Sequence, residues 1–355
     1  MRAAVVWEAG GRFDVRDDVQ RRAPGPGEVV VRIRAAGVCQ TDVSLAQGKF
    51  GQRTPVVLGH EGAGEVTEVG SGVTTWSVGD RVLVTWVPAC GRCYHCVRGE
   101  TYICAARKRS GERDARSGDL TVDGQHVLAG MGTATFAEET VVPANGVLPL
   151  PEDVPFETAA LLGCAVPTGL GAVLNSASVR PGETVAVIGC GAVGLSAVQG
   201  ARIAGAARVV AVDPQGNRRK AALALGADDA VTPDELQASG PGFDVVIDAV
   251  GRSGTIRAAW DTARRGGRVV VVGAGAADDL VTFSAQELFH AEKTLRGSFF
   301  GSSRMEGELP RMAELWRSRR LQVERMIDDV VPLTRINDVV ERQTSGEVVR
   351  IVVTP

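Results

Sequence analysis

The chain has 355 residues, of which 44% are hydrophobic and 23% charged, with a net charge of -3. That length exceeds one compact domain and predicts about two, each with its own core. No Lys/Arg-rich run is present, no apolar run approaches the roughly 18 residues of a spanning helix, and the start lacks a secretory apolar segment, so nucleic acid and membrane are excluded as main partners and a cytoplasmic protein is expected.

The first half reads as short β-strands punctuated by glycine and proline. Valine-rich runs at 2–7, 28–35, 64–69, 81–84 and 136–142 are separated by turn signals such as Pro24-Gly25-Pro26-Gly27 and Val78-Gly79-Asp80. This spacing suits a small, partly closed β-barrel or sandwich whose loops carry the ligand-type residues. Those residues include Cys39, Gly59-His60-Glu61 and, further on, Cys164. One histidine and two cysteines make three protein ligands, the count a catalytic zinc uses when its fourth position stays open.

Seven cysteines occur in all. Disulfides are not expected in a reducing cytosol, and an odd number leaves one over. Cys90, Cys93, Cys96 and Cys104 follow the spacing C-x2-C-x2-C-x7-C. Four thiolates complete a tetrahedron around zinc and leave no position for chemistry, so this is read as a structural site, with an iron–sulfur cluster as the rival. His95 lies inside the lobe but is read as a neighbour rather than a ligand. The polar stretch 107–119 is expected to form a mobile loop.

From about residue 166 the pattern alternates strand and helix. Strand candidates lie at 184–188, 208–212, 229–232, 244–248, 268–272 and 294–299, and helix candidates at 191–204, 218–225, 253–264 and 284–293. The apolar run at 184–188 fits a parallel strand buried on both faces, and six strands with crossover helices predict a doubly wound sheet. Gly189-Cys190-Gly191-Ala192-Val193-Gly194 fits G-x-G-x-x-G, directly follows that strand and opens a helix. Its glycines allow the tight turn and let the backbone approach a pyrophosphate at the helix N-terminus. Asp213 ends the next strand, where a carboxylate accepts from a ribose 2'-hydroxyl and repels a 2'-phosphate, favouring NAD over NADP. A helix cap is the plain alternative for Asp213, and Arg218 and Arg219 stand close enough in sequence to receive a phosphate. After residue 300 come helix candidates at 308–317 and 335–342 and a last strand at 348–353.

With these pieces in order, the chain resembles the zinc-dependent medium-chain alcohol dehydrogenases along its length, near their class III and mycothiol-dependent formaldehyde dehydrogenase branch. The matching residues are Gly37-Val38-Cys39-Gln40-Thr41-Asp42, Gly59-His60-Glu61, the four-cysteine lobe, Leu162-Gly163-Cys164, the glycine turn with Asp213, and Gly346-Glu347-Val348-Val349-Arg350. The resemblance implies an α/β plus β fold: a GroES-like β-barrel catalytic domain over 1–165 and 300–355, interrupted by a doubly wound Rossmann domain over 166–299. It implies that Cys39, His60 and Cys164 hold the catalytic zinc, that Cys90, Cys93, Cys96 and Cys104 hold a structural zinc, and that NAD(H) is the cofactor.

The same resemblance assigns Thr41 to the alcohol proton, Asp42 to orienting His60, Glu61 to the region behind the metal, and Arg350 to the cofactor pyrophosphate. Gly189, Gly191, Ala192, Val193, Gly194, Asp213, Arg218, Val250 and Gly273 are the remaining cofactor candidates, and Phe50 and Trp86 the candidate walls of the substrate cleft. Two departures stand out. Ser44 occupies the position where many members carry the histidine at the exit of the proton relay, and a serine passes a proton without acting as a base near pH 7. Gln40 replaces a basic residue often found beside the cysteine. The expected substrate is a small or flat primary alcohol, aryl or allylic, oxidised reversibly to the aldehyde. The alternative is a thiol-conjugated formaldehyde adduct, with Lys108 as a candidate contact, and a less favoured reading is a zinc-free quinone reductase-like or non-catalytic NAD-binding protein. A homodimer or homotetramer is expected.

Overall fold

Valine-rich runs become strands because β-branched side chains pack well on a pleated, half-buried surface. In the computed structural model, which describes residues 1–106 and 120–355, they build two sheets of one unit. The expected loop at 107–119, with Lys108, lies outside the described residues. The described chain divides into a first unit of residues 1–164, 304–313 and 327–355 and a second of residues 165–303 and 314–326.

In the first unit the central strand Glu28–Gly37 pairs antiparallel with Glu61–Val69, Glu139–Pro143 and the C-terminal strand Ile351–Thr354. A second sheet runs from Asp14–Arg16 through Ala3–Val6 and Val56–Val57 to Gln125–Ala129. Val29, Val31, Val57, Leu58, Phe136 and Ile351 are buried in their shared core. Two strands, Gln20–Arg21 and Val56–Val57, are two residues long and carry no readable period.

The second unit is a six-stranded parallel sheet in the order Asp229–Val231, Arg208–Val212, Thr184–Ile188, Phe243–Asp248, Ala263–Val271, Thr294–Gly297. The chain winds outward one way and then the other from Thr184–Ile188, and the two halves meet beside Phe243–Asp248, which is the arrangement that opens a dinucleotide crevice at the strands' carboxyl ends. Val185, Ala186 and Val187 are fully buried, which is why that run shows no alternation. Helix Pro233–Ser239 is absent from the sequence reading, although Thr232 and Glu235 form a capping box around Pro233 that the sequence spells out.

Residues 300–303 and 314–326 belong to the second unit, whereas the resemblance implies that all of 300–355 joins the first. Gln322 donates its N–H to Gln199 Oε1 at 2.7 Å, and Met326 Sδ accepts from Ser196 Oγ at 3.7 Å. Both partners are buried on helix Ala192–Ile203. No single helix among the described residues is long and apolar enough to cross a membrane.

Candidate functional site

Cys39 follows the central strand and caps helix Gln40–Ala46, so the segment carrying Thr41, Asp42 and Ser44 is helical rather than the loop expected from sequence. Asp42 reaches back from the first turn: Oδ2 accepts from Cys39 N–H at 3.1 Å, while Oδ1 accepts from Gly59 N–H at 3.1 Å and lies 2.9 Å from His60 Nδ1. One buried carboxylate therefore fixes two ligand-bearing segments and, by engaging Nδ1, leaves Nε2 of His60 for a metal. Gly59 adopts φ +95°, and a Cβ there would sit 2.6 Å from both Phe136 N and Thr135 Oγ1, so only glycine brings His60 to this place. Thr133 secures the same turn by donating Oγ1–H to Gly59 O at 2.9 Å. No sequence signal marks Thr133, because the two segments meet only through folding.

Cys39, His60, Glu61 and Cys164 offer ligand atoms that all lie within 4.8 Å of one another, and all four residues are buried. Cys164 arrives just past helix Phe156–Leu162, and Glu61 opens strand Glu61–Val69 opposite Gly37. A Cβ on Gly37 would stand 2.2 Å from Glu61 Oε2, so position 37 must be bare for that carboxylate to fit. Arg350 is buried too, with Nη2 3.3 Å from Glu61 Oε1 and Nη1 donating to Val38 O.

The buried ionisable groups of this cluster perturb one another. Burial pushes the Glu61 carboxyl up to about 8 against the pull of Arg350, and neither of its buried oxygens has a hydrogen-bond donor. Burial also opposes charge on His60, but the Asp42 carboxylate overrides it and raises the imidazole well above its ordinary value. Cys164 donates to Cys39, and with Arg350 and His60 nearby this holds the Cys39 thiol well below its usual range. Two sulfurs and one imidazole fit zinc in chemistry and in spacing, with the Glu61 carboxylate beside them. Thr41 and Ser44 are partly buried on the same helix. Trp86 is buried and meets His60 edge-on, with ring centroids 5.9 Å apart. Phe50 is 47% exposed on a left-handed turn (φ 62°), and no ring contact joins it to Trp86 or His60.

The four-cysteine lobe closes around one point. Cys90 and Cys96 sulfurs lie 3.9 Å apart, as do those of Cys93 and Cys104. A zinc tetrahedron with ~2.3 Å bonds has S···S edges of roughly 3.8 Å, whereas several irons need more room. Cys93 Sγ accepts N–H bonds from Cys96 at 3.5 Å and Ala105 at 3.4 Å, which bring that thiol down to about 6. His95 pairs with Glu100 at 3.0 Å and is not among the grouped ligands.

In the second unit, Gly189 sits at φ +90° and Gly194 packs so closely that a Cβ would lie 1.7 Å from Gly189 O. A Cβ on Gly191, by contrast, would meet nothing within 4 Å. That open space lies before Ala192 and Val193, the first residues of helix Ala192–Ile203, as an approaching pyrophosphate requires. Asp213 is buried, accepting from Cys190 N–H and Gln215 N–H at 2.8 Å each. The carboxylate thus braces the glycine turn, and its remaining lone pairs are what a ribose would use. Arg219 donates to Asp213 O at 2.7 Å, and Arg218 carries a buried Nε without an acceptor. Asp248, which the sequence reading passed over, holds the facing loop by accepting from Val250 N–H and Gly251 N–H at 3.0 and 3.1 Å. Gly273 donates to Asp248 O at 3.0 Å, which places Val250 and Gly273 together.

A closed four-sulfur site, a three-ligand zinc site and a parallel sheet with a glycine turn define a zinc- and dinucleotide-dependent oxidoreductase. Comparison with known proteins agrees. The family model for the alcohol dehydrogenase GroES-like domain matches residues 25–152, and that for zinc-binding dehydrogenase matches residues 192–316. The class-3 alcohol dehydrogenase of Drosophila melanogaster is 35% identical, over 99% of this chain and 97% of that protein. Among solved structures, an alcohol dehydrogenase zinc-binding domain protein from Burkholderia ambifaria has a TM-score of 0.92 at 33% identity, covering 99% of this chain and 98% of that one. Benzyl alcohol dehydrogenase from Acinetobacter calcoaceticus has a TM-score of 0.91 at 27% identity, again over 99% and 98%. The chain belongs to the zinc-dependent medium-chain alcohol dehydrogenase family.

Proposed function

We propose that this enzyme oxidises a primary aryl or allylic alcohol reversibly to the aldehyde, with NAD as the hydride acceptor. The observation that carries the reading is the Cys39, His60 and Cys164 donor set, braced by Asp42 and flanked by Trp86. When bound, zinc supplies a Lewis acid for the alcohol oxygen and NAD accepts the hydride. The chain's own residues do the positioning: Asp42 fixes the His60 tautomer, Thr41 takes the alcohol proton, and Ser44 hands it to water without storing it. Trp86 offers a flat apolar wall. The name of the Acinetobacter structure gives an aryl alcohol for that protein, and it supports the same class here.

In the second unit Asp213 favours a free ribose 2'-hydroxyl, and Gly191 leaves the pyrophosphate its space. Leu280, Leu288 and Phe289 expose apolar surface, which supports an assembly of two or four copies. We place the enzyme in the cytoplasm, in keeping with seven free cysteines.

The test is NADH absorbance on a panel of aliphatic, aryl and allylic alcohols, run beside formaldehyde with and without a low-molecular-weight thiol. The highest kcat/KM is expected on aryl or allylic alcohols. Formaldehyde turnover strictly dependent on the thiol would replace this reading with the thiol-conjugate one.

A further inference from the structure

The second unit contains a pocket of about 240 Å³ whose polar lining is Ser176, Ser178, Arg180, Arg268, Thr294 and Arg296. It is separate from the nucleotide turn. Arg268 is level with Thr294 on one side and with Val245, and through it Val185, on the other. Arg296 is level with Val270, and through it with Ile247 and Val187, so it stands three strands across the sheet from the strand that Gly189 follows, roughly 14 Å at ~4.8 Å per strand.

The pocket brings three guanidinium groups, those of Arg180, Arg268 and Arg296, to one concavity. Around the pocket, Glu183 pairs with the guanidinium of Arg268 and also accepts the backbone N–H of Arg180 at 2.9 Å. Among the described residues, the guanidinium groups of Arg180 and Arg296 have no acidic partner. Arg296 gives one donor to Ser176 O at 3.4 Å, and the buried Nε of Arg268 finds no acceptor. With Arg268 matched by Glu183, the guanidinium groups of Arg180 and Arg296 leave two positive charges at one concavity for an anion to join.

The donors also select the anion. Guanidinium forks suit phosphate and carboxylate oxygens, but forks from three residues with the hydroxyls of Ser178 and Thr294 surround the space rather than meet one edge. A planar carboxylate presents a single edge, whereas a tetrahedral dianion presents oxygens to every side. The volume falls below the ~300 Å³ at which pockets for drug-sized ligands begin. We propose that this pocket binds a phosphate group, either free or as the head of a small phosphomonoester. The proposal is independent of the dehydrogenase reading, since it uses none of the zinc or nucleotide residues.

The experiment titrates the full-length protein with inorganic phosphate, with glycerol phosphate, and with sodium chloride at matched ionic strength, following thermal stability and calorimetric heat. Saturable binding of phosphate or its ester is expected, at least tenfold weaker in R180Q/R296Q, retained in R296K, and unaffected by NADH. Tighter binding of glycerol phosphate identifies an ester site, and tighter binding of inorganic phosphate a free-anion site. Both arginines are exposed, so the double variant is expected to fold, and circular dichroism checks it; R180Q alone serves as the second variant. No saturable response, an equal response to chloride, or an affinity unchanged in R180Q/R296Q overturns the proposal. So does displacement of phosphate by NADH, which would place the anion at the glycine turn.

Discussion

Asp42 Oδ1 lies 2.9 Å from His60 Nδ1 and shares its carboxylate with the backbone N–H groups of Cys39 and Gly59. Both ligand-bearing segments of the catalytic site are thereby referred to one side chain. Asp42→Asn keeps the shape but weakens the acceptor on Nδ1. A loss of about 10–100-fold in zinc affinity or kcat/KM is expected, read by metal analysis after mild chelation and by initial rates. Two zincs per chain are expected before chelation and one afterwards in the variant; full retention of both would show that Asp42 is a bystander.

Arg350 and Glu61 form a buried ion pair at 3.3 Å. Removing Arg350 takes away the charge that opposes the burial of Glu61 and leaves Val38 O without its donor, so Arg350→Met is expected to lower the unfolding temperature. The double variant E61Q/R350M should recover most of that loss. Strictly additive losses in the double-mutant cycle would mean the two residues do not act as a pair.

Gly191 and Gly194 separate binding from folding. A methyl group at 191 meets nothing within 4 Å, while one at 194 collides with Gly189 O at 1.7 Å. Gly191→Ala should leave stability within about 0.5 kcal/mol of the parent yet raise the KM for NAD, because the methyl enters the space reserved for pyrophosphate. Gly194→Ala should lower the unfolding temperature of the unit. Equal effects of both substitutions on stability, with KM unchanged, would count against the glycine turn as the cofactor cradle.

Asp244 ties together the start of the second unit's sheet. Burial opposes its charge, but Thr184 N–H and Oγ1–H, each at 2.8 Å, and Arg264 hold the carboxyl down to about 2. Because the folded value lies below the unfolded one, the stabilisation is present above about pH 4 and is lost as pH falls toward 2. After discounting for solvent screening, it is worth about 1 kcal/mol. Asp244→Asn should therefore lower stability at pH 7 and flatten its dependence between pH 4 and 2. An unchanged acid limb in denaturant titrations would remove Asp244 from the account.

The sequence by itself determined the elements whose signal is local. Thr184–Ile188 is legible because a strand buried on both faces must be apolar throughout, and the glycine turn because tight backbone approach admits no other residue. Cys90, Cys93, Cys96 and Cys104 lie within fifteen consecutive positions, so their spacing already encodes one tetrahedron. The resemblance adds which distant cysteines and histidine belong together.

Only the tertiary structure decided what depends on residues far apart in the chain. It placed Arg350 against Glu61, turned Asp213 inward to brace Cys190 and Gln215, and made Gly37 the space that Glu61 fills. It also took Phe50 out of ring contact with Trp86 and His60, and gathered Arg180, Arg268 and Arg296 around one pocket. The physical reason is the same in each case. A buried charge is settled by whichever partner folding brings within a few ångströms, and no period or spacing along the chain records that choice.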